Sequence, residues 1–211
     1  MLLPIPDLLG PDQTAQLRTR LERADWAGGS VLSADASPLA RTLGDALVDV
    51  ASRNGTFFSA ALPRRVLPPR FERHAAGLVP PQEDHAAVRY DRGAAVRTDL
   101  AALVFLDDPA DHDGGELAID DTFGSQRIKL PAGSAVLYPC GSRHALLPVT
   151  RGARYVARLG IQSLLREDAQ RRLAFELDVA IRRLTQDVPD HPALAQLTGV
   201  YHNLLRRWSD A

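Results

Sequence analysis

The chain has 211 residues, enough for one domain with a sizeable core, and its 25 basic and 26 acidic residues leave a net charge of −1. No basic footprint argues for nucleic acid or an anionic membrane surface. The single cysteine, Cys140, excludes an intramolecular disulfide and a Cys-rich zinc site, and fits a reducing compartment.

The N-terminus, Met1-Leu2-Leu3-Pro4-Ile5-Pro6-Asp7, lacks the basic and long apolar regions of a secretory signal. The longest apolar run, Leu100 to Leu106, is seven residues, against the ~20 that span a bilayer. A soluble, cytoplasmic protein is expected. Lys129 is the only lysine, which together with abundant alanine reads as codon bias of a GC-rich genome.

In chain order, residues 12–26 read as a helix, with Leu17 and Leu21 four apart and Pro11 favourable in its first turn. Ser37-Pro38 starts a second helix, with Leu39, Leu43, Ala46, Leu47 and Val50 at helical spacing, and Asn54-Gly55 stops it. Both helices are expected to cover a sheet.

From about Phe57 to Gln162 the texture is short segments punctuated by turns. Leu100 to Leu106 reads as a buried strand, closed by Asp107-Asp108-Pro109 and Asp113-Gly114-Gly115. Residues 116–120 and 127–130 alternate as half-exposed strands, and Pro131-Ala132-Gly133-Ser134 turns into a strand over 135–138. A last strand covers 154–162. This spacing predicts a β-sandwich or barrel rather than βαβ units.

The remainder reads as two helices, with apolar stripes at Leu173, Leu177, Ala180, Ile181 and Leu184 and at Leu194, Leu197, Tyr201, Leu204, Leu205 and Trp208. Such stripes face a core or a second copy of the chain. Two units are expected: residues 1–165, and a helical extension over 166–211.

The chemistry-bearing residues are few. No Gly-rich phosphate loop, Gly-x-Ser-x-Gly elbow or Cys-x-x-Cys is present. In an extended segment Glu83 and His85 point the same way, so they can offer a carboxylate and an imidazole to one metal. With His144 they would form a two-His-one-carboxylate set, which suits non-haem Fe(II). Arg154, ten residues beyond His144, is a natural bidentate clamp for a dicarboxylate. His112, in an acidic turn, is expected to be exposed; His191 and His202 are read as structural or surface residues. Cys140 is read as an ordinary half-buried thiol.

Longer motifs then carry a resemblance. They are Arg97-Thr98-Asp99-Leu100, Phe105-Leu106-Asp107-Asp108-Pro109, Asp113-Gly114-Gly115-Glu116-Leu117, Leu130-Pro131-Ala132-Gly133, Leu137-Tyr138-Pro139, and His144 followed by Pro148-Val149-Thr150-Arg151-Gly152-Ala153-Arg154. Ile161-Gln162-Ser163 and the segments 166–173 and 191–208 join them. Over nearly its whole length the chain resembles the PKHD-type hydroxylases, prolyl-4-hydroxylase-like Fe(II)/2-oxoglutarate oxygenases.

The resemblance implies a mostly β fold with flanking helices (α+β), built on a double-stranded β-helix of jelly-roll or cupin-like kind. It implies Fe(II), 2-oxoglutarate as co-substrate, ascorbate as reductant and a small-molecule substrate. No nucleic acid or membrane partner is expected, and the C-terminal helices would allow a homo-oligomer. In the family a His-x-Asp pair and a distal His hold the metal, and an Arg ten residues after that His binds 2-oxoglutarate. His144 and Arg154 match the last two.

The first pair departs from the pattern: its register falls on Glu83-Asp84-His85, with Glu83 at the His position and His85 at the Asp position. His74 stands where the family has tyrosine and Gly160 where it commonly has a bulky aromatic. His74 and Tyr138 are expected in the pocket. Three readings stay open: a reversed ligand set of Glu83, His85 and His144; a halogenase-like slip that places His85 and Ala87 at the motif; or a decayed site acting as a binding or partner subunit.

Overall fold

The computed structural model describes residues 1–26, 29–77, 86–121 and 124–210. Strand β1 (Leu3–Ile5) precedes helix α1 (Pro11–Glu22), whose first turn is closed by the Gln13 side chain accepting from the Gly10 N–H at 2.9 Å. Strand β2 (Val31–Leu32) leads to α2 (Pro38–Arg53), capped by the Ser37 hydroxyl accepting from the Ala40 N–H.

Asn54 ends α2 as expected but does not open a β region. Its side chain accepts from the Phe57 N–H at 2.9 Å and starts a further helix, α3 (Gly55–Ala61). The expectation of strand-like texture from Phe57 is corrected: a stop residue for one helix serves as the N-cap of the next. Phe57, Ala60 and Ala61 bury the face of this short helix.

The β region comprises β3 (Pro63–Val66), β4 (Arg70–Ala75), β5 (Val88–Asp91), β6 (Ala94–Arg97), β7 (Leu100–Phe105), β8 (Asp113–Gly114), β9 (Leu117–Asp121), β10 (Gly124–Ile128), β11 (Ala135–Pro139), β12 (Arg143–Leu146), β13 (Val149–Arg151) and β14 (Ala153–Ser163). Helices α4 (Asp168–Asp187) and α5 (Ala193–Trp208) follow.

Among the described residues the main sheet runs β1-β11-β7-β14-β4-β2, with β3 also on β14. A smaller sheet runs β10-β9-β12, and β13 pairs with β8. Every named pairing is antiparallel. The two sheets form the double-stranded β-helix core.

Side-chain alternation divides the main sheet into two faces. Leu100, Ala102 and Val104 of β7 and Tyr155, Ala157, Leu159 and Ile161 of β14 pack with Leu17, Leu21, Leu43 and Leu47 of α1 and α2. The opposite face of β7, with Leu103 and Phe105, meets Leu117, Ile119 and Leu146 of the smaller sheet, together with Val136, Tyr138 and Val156.

Where β7 ends, buried Asp107 accepts from the Tyr155 N–H and from Arg18, tying α1 to the sheet. At the far end, Leu62, Leu165 and Ala174 form a small core that Tyr201, Leu205 and Trp208 cover. No described helix is long and apolar enough to cross a membrane.

Candidate functional site

The inner face of the main sheet carries charge. Arg154 stands opposite His74 in the β14–β4 register, Val156 opposite Glu72 and Arg158 opposite Arg70. Residues two apart on a strand share a face, so Glu72 and His74 join Arg154 and Arg158 in one row. Tyr138 reaches it from β11 and His144 from β12.

Arg154 is 1% exposed, and none of its three guanidinium nitrogens has a hydrogen-bond partner among the described residues. Its charge is compensated only weakly: the guanidinium carbon lies 5.5 Å from the Phe105 ring centre. Burial pulls its pKa down to about 10, against the opposing pull of Glu72.

Gly115 makes room for the stem, since a Cβ there would come within 3.0 Å of the Arg154 Cδ. With φ at +72°, Gly115 also holds a backbone conformation that favours glycine. A fully buried cation with five unmet donors is costly to retain unless an anion satisfies it. Arg154 therefore fits the carboxylate of a bound dicarboxylate.

His144 is buried, and its Nδ1 donates to the Ser142 carbonyl at 2.8 Å. In the neutral ring this fixes the lone pair on Nε2, the orientation a metal-ligating imidazole adopts. Tyr138 packs edge-on against the ring with centroids 4.9 Å apart. His144 thus fits as one ligand of a metal.

Glu83 and His85, the other two expected ligands, lie outside the described residues. Among the described residues no group of three or more His, Cys, Asp or Glu side chains is gathered for a metal. Ala87, the residue of the halogenase-like alternative, is exposed ahead of β5.

Two inward residues had no functional reading in the sequence. Arg158 donates from Nε to Glu72 Oε1 at 3.1 Å, and its Nη1 lies 3.4 Å from both the Tyr138 hydroxyl and His144 Nε2. A guanidinium can only donate, so Nε2 accepts.

Glu72, 3% exposed, also accepts from His74 Nε2 at 3.1 Å. Burial pushes the Glu72 carboxyl up, but the His74 hydrogen bond and the Arg158 charge outweigh it and hold its pKa at about 2. His74, expected in the pocket, lies on the inner face of the sheet joined to Glu72. Glu72 and Arg158 meet only through the pairing of β4 with β14, which places both on the buried inner face.

A small recess of about 30 Å³ opens beside this row, lined by Leu67, Arg70, Arg89, Thr98, His144 and Arg158 among others. Gly160 forms part of its wall. Cys140 lies there too, with its thiol pushed up to about 11 by burial, so it is an unactivated thiol as expected.

His112 departs from expectation: it is 2% exposed rather than solvated. Its Nδ1 donates to the Gly114 carbonyl at 3.0 Å, Lys129 holds its own carbonyl, and Gly152 packs against its Cβ. Pairing of β8 with β13 folds the acidic turn inward, which local composition does not reveal. His191 and His202 are exposed.

Comparison with known proteins places this geometry. Residues 70–161 match the 2OG-Fe(II) oxygenase superfamily, and residues 168–210 match the PKHD-type hydroxylase C-terminal domain. A PKHD-type hydroxylase of Xanthomonas campestris pv. campestris (strain B100) is 56% identical over 227 aligned positions, covering 100% of both chains. The chain belongs to the PKHD-type hydroxylase family.

The family is one of enzymes, hydroxylases within the 2OG-Fe(II) oxygenases. Two solved structures share the fold. A 2OG-Fe(II) oxygenase family oxidoreductase from Burkholderia pseudomallei matches with a TM-score of 0.55 at 13% identity, covering 79% of this chain and 85% of that one. HygX from Streptomyces hygroscopicus, with nickel and 2-oxoglutarate bound, matches with a TM-score of 0.50 at 18% identity, covering 77% and 81%.

Proposed function

We propose that this chain is a 2-oxoglutarate-dependent oxygenase of the hydroxylase kind with an altered metal-ligand set. Arg154 binds the far carboxylate of 2-oxoglutarate, and His144, Glu83 and His85 hold Fe(II). The observation that carries the reading is Arg154, buried with all three nitrogens unpartnered among the described residues and ten residues beyond His144.

The bound metal would supply oxidation of a substrate C–H, with ascorbate as the accompanying reductant. The chain's own residues bind and orient. A bidentate guanidinium fixes both the position and the plane of the carboxylate. Ser142 sets the His144 ring, and a small-molecule substrate would approach from the side of the recess that His144 and Arg158 line. Helices α4 and α5, which expose Leu173 and Val200, are proposed as the surface for a homo-oligomer.

An anaerobic titration of the protein with Fe(II) and 2-oxoglutarate tests this. The visible charge-transfer band of the chelate should rise to saturation, and should be lost in His144→Ala, His85→Ala and Arg154→Ala. Repeating it with Glu83→Ala separates the reversed ligand set from a halogenase-like one, which would keep the band and respond to chloride. Absence of both band and stoichiometric iron overturns the oxygenase reading.

A second reading has its own observation. Arg158 stands against the nitrogen by which His144 would ligate, and a guanidinium beside that atom disfavours a dication. On this reading the chain binds a dicarboxylate at Arg154 without iron chemistry, as a binding or partner subunit. Saturable 2-oxoglutarate binding that needs Arg154 but no metal would select it.

A further inference from the structure

The row of charge inside the sheet contains a second cation, Arg158, beside the candidate metal ligand His144. Arg158 lines the recess, its guanidinium anchored by Nε on Glu72 and directed by Nη1 at Tyr138 and His144. The side chain is 11% exposed and its Glu72 partner 4% exposed, so the pair lies mostly out of solvent, where such contacts are weakly screened.

His144 Nε2 offers a single lone pair, because Nδ1 is committed to the Ser142 carbonyl. A metal bonded at Nε2 and the Arg158 nitrogen now hydrogen-bonded there would need the same lone pair and the same space. They exclude each other sterically and by charge.

We propose that Arg158 is an internal competitor for the divalent cation, occupying the ligating nitrogen of His144, so that metal binds only when this guanidinium swings away. This rests on the reading of His144 as a metal ligand. Glu72 is a positioning residue in this arrangement: it holds Arg158 by Nε and thereby aims Nη1 at the imidazole. The competitor sets metal affinity, and does so through a side chain that no metal-ligand motif includes.

The test is calorimetric titration of the intact protein with Co(II), an oxygen-tolerant probe, in the wild type, Arg158→Leu and the charge-balanced Arg158→Leu/Glu72→Gln. The double variant removes both ends of the buried ion pair, so it covers the case in which Arg158→Leu strands Glu72 and fails to fold.

Removing a like charge this close should tighten Co(II) binding by roughly tenfold or more in Arg158→Leu, and freeing the His144 lone pair should tighten it by a smaller factor in the charge-balanced variant. Adding His144→Ala should abolish the gain. Unchanged affinity, with binding that still depends on His144, overturns the competitor and leaves the ligand reading standing. Binding that does not depend on His144 in any variant overturns the ligand reading and the competitor with it.

Discussion

The two faces of β14 follow opposite rules within one strand. Outward, Tyr155, Ala157, Leu159 and Ile161 are at most 5% exposed and pack beneath α1 and α2. Inward, Arg154 and Arg158 alternate with Val156 and Gly160 and meet Glu72 and His74. The outer face is what a folded chain does with apolar area. The inner face buries charge, which opposes folding unless each charge is partnered. Glu72 and Arg158 pair with one another, whereas Arg154 has no partner among the described residues, and on the proposed reading a ligand supplies it.

The largest effect is expected where that contrast is sharpest. Arg154→Met should weaken 2-oxoglutarate binding by roughly a hundredfold or more, as loss of one partner in a buried charged pair does. The same change should leave stability equal or higher, because it removes an unsatisfied buried cation and keeps the stem's apolar volume. Calorimetry and thermal melts on one sample decide it. A variant that binds normally, or one that unfolds, would show that Arg154 has an internal partner and that the inner face is ordinary structure.

Ile161→Ala on the outer face should do the reverse. Truncating a fully buried branched side chain costs about 2–5 kcal/mol, measured by denaturant unfolding, with affinity for 2-oxoglutarate unchanged in the folded fraction.

Glu72 tests whether the inner charges pair as described. Its pKa falls from 4.5 to about 2 on folding, so the unfolded state takes up its proton first as pH drops. The contribution of this carboxylate is therefore present in full above about pH 4.5 and is lost as pH falls toward 2. With about 1.4 kcal/mol per unit, some 3 kcal/mol of stability should disappear across that window. Glu72→Gln should flatten this limb of the stability profile. An unchanged acid limb would mean that Glu72 is not held by His74 and Arg158.

The outer face was legible in the sequence and the inner face only partly so. Strands over Leu100–Phe105, Ala135–Pro139 and Ala153–Ser163 follow from apolar runs and turn residues, and α1, α2, α4 and α5 from their stripes. Local signals of this kind survive folding because they are set within a few residues. The 144/154 spacing and the surrounding motifs singled out His144 and Arg154.

Glu72 and Arg158 were invisible for a different reason. Each is an ordinary charged residue in its own segment, and they meet only because β4 and β14 are neighbours across 86 positions of sequence. His112 was misread on the same ground, since its burial depends on β13. Asn54 was half read, its backbone N–H closing one helix on Ala51 while its side chain caps another.

The smallest effect is expected at Gly160, and it asks whether the inner face is packed at all. A Cβ there would stand 3.0 Å from Leu67 Cδ1 and 3.6 Å from Thr98 Cγ2, beside the recess. The nearest atom ends a flexible side chain that borders open volume, so Leu67 can yield. Alanine also removes the conformational cost that glycine brings to a strand interior, about 0.5–1 kcal/mol. These terms oppose each other, and Gly160→Ala should change stability by less than about 1 kcal/mol. Denaturant unfolding beside Ile161→Ala is the informative pairing, because the two positions are adjacent on one strand and differ only in the face they serve. A loss at Gly160 as large as that at Ile161 would show that the inner face is close-packed like the outer one, and that the recess has no room for a substrate at that wall.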